Sequence, residues 1–124
     1  MLQRLTLGLL LAAALATSTR AQGLAQFDGK YVGELTLTGV VSGDCTTPPL
    51  GALYPLFVSH GQVRFAYIPR FSTTLYGMVA PNGSFKATAR VKSGLIQMTG
   101  QIRGINATAT LASPSCRYTF QTKE

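Results

Sequence analysis

Few side chains in this chain are suited to acid–base or nucleophilic chemistry. His60 is the only imidazole. As a general base it needs an orienting carboxylate and a nucleophile within hydrogen-bond reach. Asp28 and Asp44 can orient it only if the fold brings them close. Ser59 is adjacent in sequence, but on a strand it points to the opposite side. His60-Gly61 reads better as a solvent-exposed hairpin tip. Paired carboxylates for glycoside hydrolysis would have to come from Asp28, Glu34 and Asp44, all near the N-terminus. Two cysteines and one histidine cannot complete a four-ligand structural zinc site without carboxylates. The chain has no Gly-x-Ser-x-Gly, P-loop or His-Glu-x-x-His pattern. The expectation is a non-enzymatic protein with no catalytic residues, no cofactor and no metal.

The cysteines carry a clearer message. Cys45 lies in a long connection and Cys116 opens the last strand-like segment. In an exported protein such a pair forms one disulfide. In the chain-entropy model, a closed loop of that length contributes ~4 kcal/mol. The redox alternative lacks its usual Cys-x-x-Cys signature.

These residues must be positioned by strands, because the dominant hydrophobic repeat is period two. Lys30–Gly39 alternates Tyr31, Gly33, Leu35 and Leu37 against Val32, Glu34, Thr36 and Thr38. The same alternation runs through Gln62–Ile68, Ser84–Val91, Leu95–Ile102, Ile105–Leu111 and Cys116–Phe120. Tyr54–Ser59 and Thr74–Ala80 are strand-like, but which face is buried stays open. His60-Gly61, Pro81-Asn82-Gly83, Lys92-Ser93-Gly94, Arg103-Gly104 and Ala112–Ser115 punctuate the strands with turn chemistry. Eight strands with short loops predict an all-β antiparallel meander. Closure into a small barrel would remove two unpaired edges, and a sandwich is the alternative. Small inward-parity residues (Gly33, Ala87, Ala89, Gly100, Ala107, Ala109) would either let strands bend sharply or leave a narrow cavity.

Residues 1–21 read as a secretory signal peptide, with Arg4, an apolar run from Leu5 to Ala16, and cleavage after Ala21. The apolar run is short for a spanning helix, which needs ~20 residues. No later stretch approaches that length, so no transmembrane segment is expected after cleavage. The single domain then covers residues 22–124. Removing Arg4 and Arg20 from the eleven basic residues leaves nine against four acidic ones, a net charge of +5. That balance favours an anionic partner such as an envelope component. Lys86, Arg90 and Lys92 share one parity, with Arg64 and Arg103 on other strands. If the strands lay close these would form a patch, with Tyr76 or Tyr54 interleaved. The density is low for nucleic-acid recognition, which is not expected. The bland interpretation is a solvated outer face.

Phe27-Asp28-Gly29-Lys30-Tyr31-Val32-Gly33-Glu34-Leu35 resembles the opening of a family of small exported bacterial proteins: Phe-Asp-Gly, an aromatic, then Gly-x-Leu after the signal peptide. Asn82-Gly83-Ser84-Phe85, Gly100–Gly104 and Cys116-Arg117-Tyr118 also fit. That family has no assigned activity, so the resemblance implies compartment, periplasmic or secreted, and fold. A weaker likeness is to the lipocalin and avidin (calycin) barrels, which open with Gly-x-Trp and often stack a last-strand arginine on that ring. Gly29-Lys30-Tyr31 and Arg117 take comparable places, with tyrosine for tryptophan. The chain has no tryptophan, so biotin binding is not implied. The functional expectation is a barrel that binds a small apolar ligand through Tyr31, Phe65, Phe85 and Tyr118, with Tyr31 and Tyr118 able to approach each other where closure pairs the first strand with the last, or that docks an envelope partner. The alternative is a structural, envelope-associated protein with a filled core.

Overall fold

Side chains that alternate apolar and polar build strands with one buried face, and β-strands make up nearly all the regular structure among the described residues. The computed structural model describes residues 25–67 and 73–123. The expected signal segment, its cleavage point and residues 68–72 lie outside these. The strands are β1 (Gly29–Val40), β2 (Tyr54–Ser59), β3 (Gln62–Tyr67), β4 (Thr73–Val79), β5 (Ser84–Val91), β6 (Gly94–Arg103), β7 (Asn106–Ala112) and β8 (Cys116–Thr122). In β7, Ala107, Ala109 and Leu111 are buried while Thr108 and Thr110 are exposed.

Each strand pairs antiparallel with the next, and β1 pairs with β8, so the meander closes into a barrel. Closure settles the choice between barrel and sandwich. The turns set the register. His60 and Gly61 both have positive φ, 52° and 76°, as a two-residue type I′ hairpin requires. At the β4–β5 hairpin Asn82 Oδ1 accepts hydrogen bonds from the Ser84 amide and hydroxyl at 3.0 and 2.7 Å.

The two strands of undecided face are now resolved. Leu56 and Val58 of β2 point inward, as does Leu75 of β4. Phe57, Tyr76 and Met78 occupy the outward positions. The sequence left these strands ambiguous because both of their faces are apolar.

The core is filled by large side chains. Tyr118, Phe65, Phe120, Leu56, Leu75, Met98, Ile102, Leu111 and Val63 are almost wholly shielded from water. Phe65 and Phe120 meet edge to face with centroids 5.4 Å apart. Small inward residues sit where backbone and rings approach closely. A Cβ on Gly77 would overlap the Lys86 carbonyl, and one on Gly100 would lie 2.7 Å from Phe85 Cζ. The Phe85 ring therefore covers the space that Gly100 leaves.

At the end of the barrel where β7 turns into β8, Cys45 and Cys116 form the expected disulfide, with Cα atoms 5.7 Å apart. Two hydrogen bonds hold the same segment: Val41 N–H to the Ser115 carbonyl at 2.7 Å, and the Tyr118 hydroxyl to the Thr46 carbonyl at 2.8 Å.

Candidate functional site

The four rings expected to line a ligand site all belong to the core. Phe65 is 0 % exposed, Tyr118 2 %, Phe85 3 % and Tyr31 8 %. Sequence order suggested that Tyr31 and Tyr118 approach each other, because closure joins the first strand to the last. The register corrects this. Tyr118 lies opposite Leu37, whereas Tyr31 lies opposite Leu56 of β2. Six residues of β1 separate the two levels, about 20 Å along the strand. The hydroxyls mark opposite ends of the barrel: Tyr31 donates to the Phe27 carbonyl at 2.7 Å, Tyr118 to that of Thr46. Burial, and secondarily the negative charge of Asp28, raise the Tyr31 phenol above its ordinary value.

The residues with chemical potential are dispersed. His60 sits exposed on the β2–β3 turn. Asp28 does come close, but its carboxylate accepts the backbone N–H groups of His60 and Gly61 at 2.9 and 3.3 Å, so it fixes the turn rather than the imidazole. Glu34 forms an exposed ion pair with Lys123 at 2.8 Å. Asp44 lies beyond the far end of β1, exposed. Among the described residues, no three His, Cys, Asp or Glu side chains gather where they could hold a metal. The last-strand arginine of the lipocalin likeness does not reach the first-strand ring either. Arg117 lies opposite Gly39, and its guanidinium donates to the carbonyls of Ser113 and Cys116.

What the fold does assemble is an external surface. Cross-strand register places Lys30, Phe57, Arg64, Tyr76 and Thr88 side by side across β1 to β5. In the next row Gln62, Met78 and Lys86 lie abreast. Arg90 continues the outward parity of Lys86 along β5. The Arg64 guanidinium stacks over the Phe57 ring at 5.0 Å, and the Lys30 ammonium lies 5.8 Å from the same centroid. Both cations are thus held by a neutral aromatic ring instead of a carboxylate, and their charge stays uncompensated. Tyr76 is 63 % exposed beside Arg64, and Met78 57 % exposed beside Lys86. From Cys45 to Lys123 the sequence contains no aspartate or glutamate.

This surface is close to the patch considered from sequence, with changes in membership. Tyr76 interleaves, but Tyr54 packs against the core. Arg103 ends β6 at the other end of that strand, outside this surface, and Lys92 lies in the β5–β6 turn just beyond Arg90. Lys30, Phe57 and Met78 were missed, because cross-strand register alone makes them neighbours. On the far side, Thr99, Thr110, Thr119 and Thr36 align across β6, β7, β8 and β1, beside a shallow groove also lined by Gln101 and Gln121. One side of the cylinder is therefore cationic and aromatic, and the other carries a row of hydroxyls.

These features define a closed, eight-stranded up-and-down barrel with a filled core and one basic outer face. No protein-family model, curated protein or solved structure matches the chain.

Proposed function

We propose that this is an exported, non-enzymatic bacterial barrel that docks an anionic component of the cell envelope through the outer face of β2–β5 and Lys30. The observation that carries the reading is the acid-free row Lys30–Phe57–Arg64–Tyr76 with Lys86 and Arg90 beside it. Uncompensated cations on one side of a small protein attract a polyanion and steer its approach. The disulfide, the leader-like residues 1–21 and the Phe-Asp-Gly opening support the exported compartment. The packed rings favour external docking over an interior ligand.

The test is co-sedimentation of residues 22–124 with isolated bacterial envelopes. Arg64→Glu/Lys86→Glu should abolish binding, and raising salt should weaken the parent protein. Arg103→Glu/Arg117→Glu makes the same change in net charge on β6 and β8, outside this face, and should retain binding. Equal binding by both variants would refute the assignment of the face.

A further inference from the structure

Resting on that reading, we infer that the anionic component is the surface of a lipid bilayer bearing anionic phospholipid, with Tyr76 and Met78 entering the headgroup layer. Three observations choose this occupant. First, the cations are spread out. Arg64 and Lys86 lie on strands separated by β4 and two residues out of register, hence about 12 Å apart, and Arg90 lies about 13 Å from Lys86 along β5. Such spacing meets several separate headgroups and does not converge on one phosphate. Second, the centre of the patch is apolar. Met78 has no hydrogen bond to offer a glycan, yet it stands exposed between Gln62 and Lys86. Beside it Tyr76 has the amphipathic ring typical of membrane interfaces. Third, the patch is poorly made for a nucleic-acid strand. The Phe57 ring is already occupied by Arg64 and Lys30, so bases cannot stack on it. The face is the convex outside of a barrel and offers no channel for a polymer backbone to follow.

The arrangement matches interfacial binding, in which buried apolar area and attraction to anionic lipid add. Each cation near such a surface contributes about fivefold to partitioning. Losing two of them should therefore lower it about 25-fold.

The experiment uses residues 22–124 with the disulfide intact. Flotation is measured with phosphatidylcholine vesicles and with vesicles also containing phosphatidylglycerol. Soluble polyphosphate and oligothymidylate are the non-lipid anions. The expected result is binding to the phosphatidylglycerol vesicles and not to phosphatidylcholine alone. Arg64→Gln/Lys86→Gln should cost about 25-fold. Tyr76→Ala/Met78→Ser should weaken vesicle binding while leaving polyphosphate binding unchanged. Both of those side chains are exposed, so the fold is spared, which a melting curve checks. Because the chain lacks tryptophan, Tyr76→Trp gives a single reporter. Its emission should shift to the blue with phosphatidylglycerol vesicles and be quenched by brominated lipid. Binding of polyphosphate or oligothymidylate without vesicle binding would overturn the lipid assignment and leave the anionic docking face standing. Failure to bind any of these anions, together with failure on envelopes, would remove both. An unshifted, unquenched Tyr76→Trp on bound vesicles would overturn the insertion.

Discussion

Replacing Cys45 and Cys116 by serine releases a cross-link between residues 71 positions apart. In the chain-entropy model that restores about 4 kcal/mol of freedom to the unfolded ensemble. For a domain of this size, each kcal/mol moves the melting temperature by roughly 4–8 °C. The expected fall is therefore about 15–30 °C. The folded state should change little, because the Val41–Ser115 and Tyr118–Thr46 hydrogen bonds hold the same segment without the sulfurs. Urea and thermal unfolding followed by far-ultraviolet circular dichroism test this, using the oxidised protein, the reduced protein and the double-serine variant. Reduced and serine forms should coincide, keep the β signal at low denaturant, and show a steeper urea dependence from their more expanded unfolded state. Melting within about 3 °C of the oxidised protein would refute the loop argument. Loss of the β signal in native buffer would show that the disulfide builds the fold and does not merely constrain the unfolded chain.

Phe65→Ala, at a site with no exposure, should cost ~3–5 kcal/mol in urea unfolding; a cost under ~1 kcal/mol would mean that Phe65 is not core. Gly77→Ala sets a methyl against the Lys86 carbonyl and should destabilise by ~1–3 kcal/mol, and an unchanged midpoint would argue against such tight closure. The raised Tyr31 phenol binds its proton more tightly folded than unfolded, so its contribution is complete below the ordinary value of 10.0 and is lost as pH rises past it. Stability should fall faster above that pH in the parent protein than in Tyr31→Phe; equal slopes would contradict the assignment. N-terminal sequencing of protein recovered from the periplasm or medium should begin at Gln22, and material that keeps Met1 would contradict the export reading.

The strands and turns were legible because they depend on neighbours in sequence. Ser84–Val91 was read from alternation alone, and Asn82-Gly83 supplies the turn that its residue types imply. The disulfide followed from two cysteines in a chain whose first residues read as an export signal. Register around the cylinder was not legible, since it depends on how each strand slides against the next. Tyr31 and Tyr118 were therefore set together from strand order, although stagger puts them at opposite ends. The same gap hid the cationic face. Lys30, Phe57, Arg64 and Tyr76 come from four strands, and only the ladder hydrogen bonds make them a row. Phe57, Tyr76 and Met78 also blurred the period of β2 and β4. That loss of pattern was itself a trace of the surface, because an apolar outward side chain spoils alternation where it occurs.

The barrel's seam has a consequence for the order of events in the cell. β1 is zipped to β8 through pairs such as Gly33 with Thr122 and Val40 with Cys116. The seven other strand pairs join neighbours in sequence and can form early. The closing pair must wait until nearly the whole chain has been made, and such long-range pairing is slow to form. A ribosome or translocation pore that still holds the last residues keeps the cylinder open. Under the proposed export, this delay keeps the chain threadable while it crosses the membrane. The disulfide ties Cys116 of the closing strand to the loop after β1 only where thiols can be oxidised, so under that export the cross-link is added to the seam after the crossing.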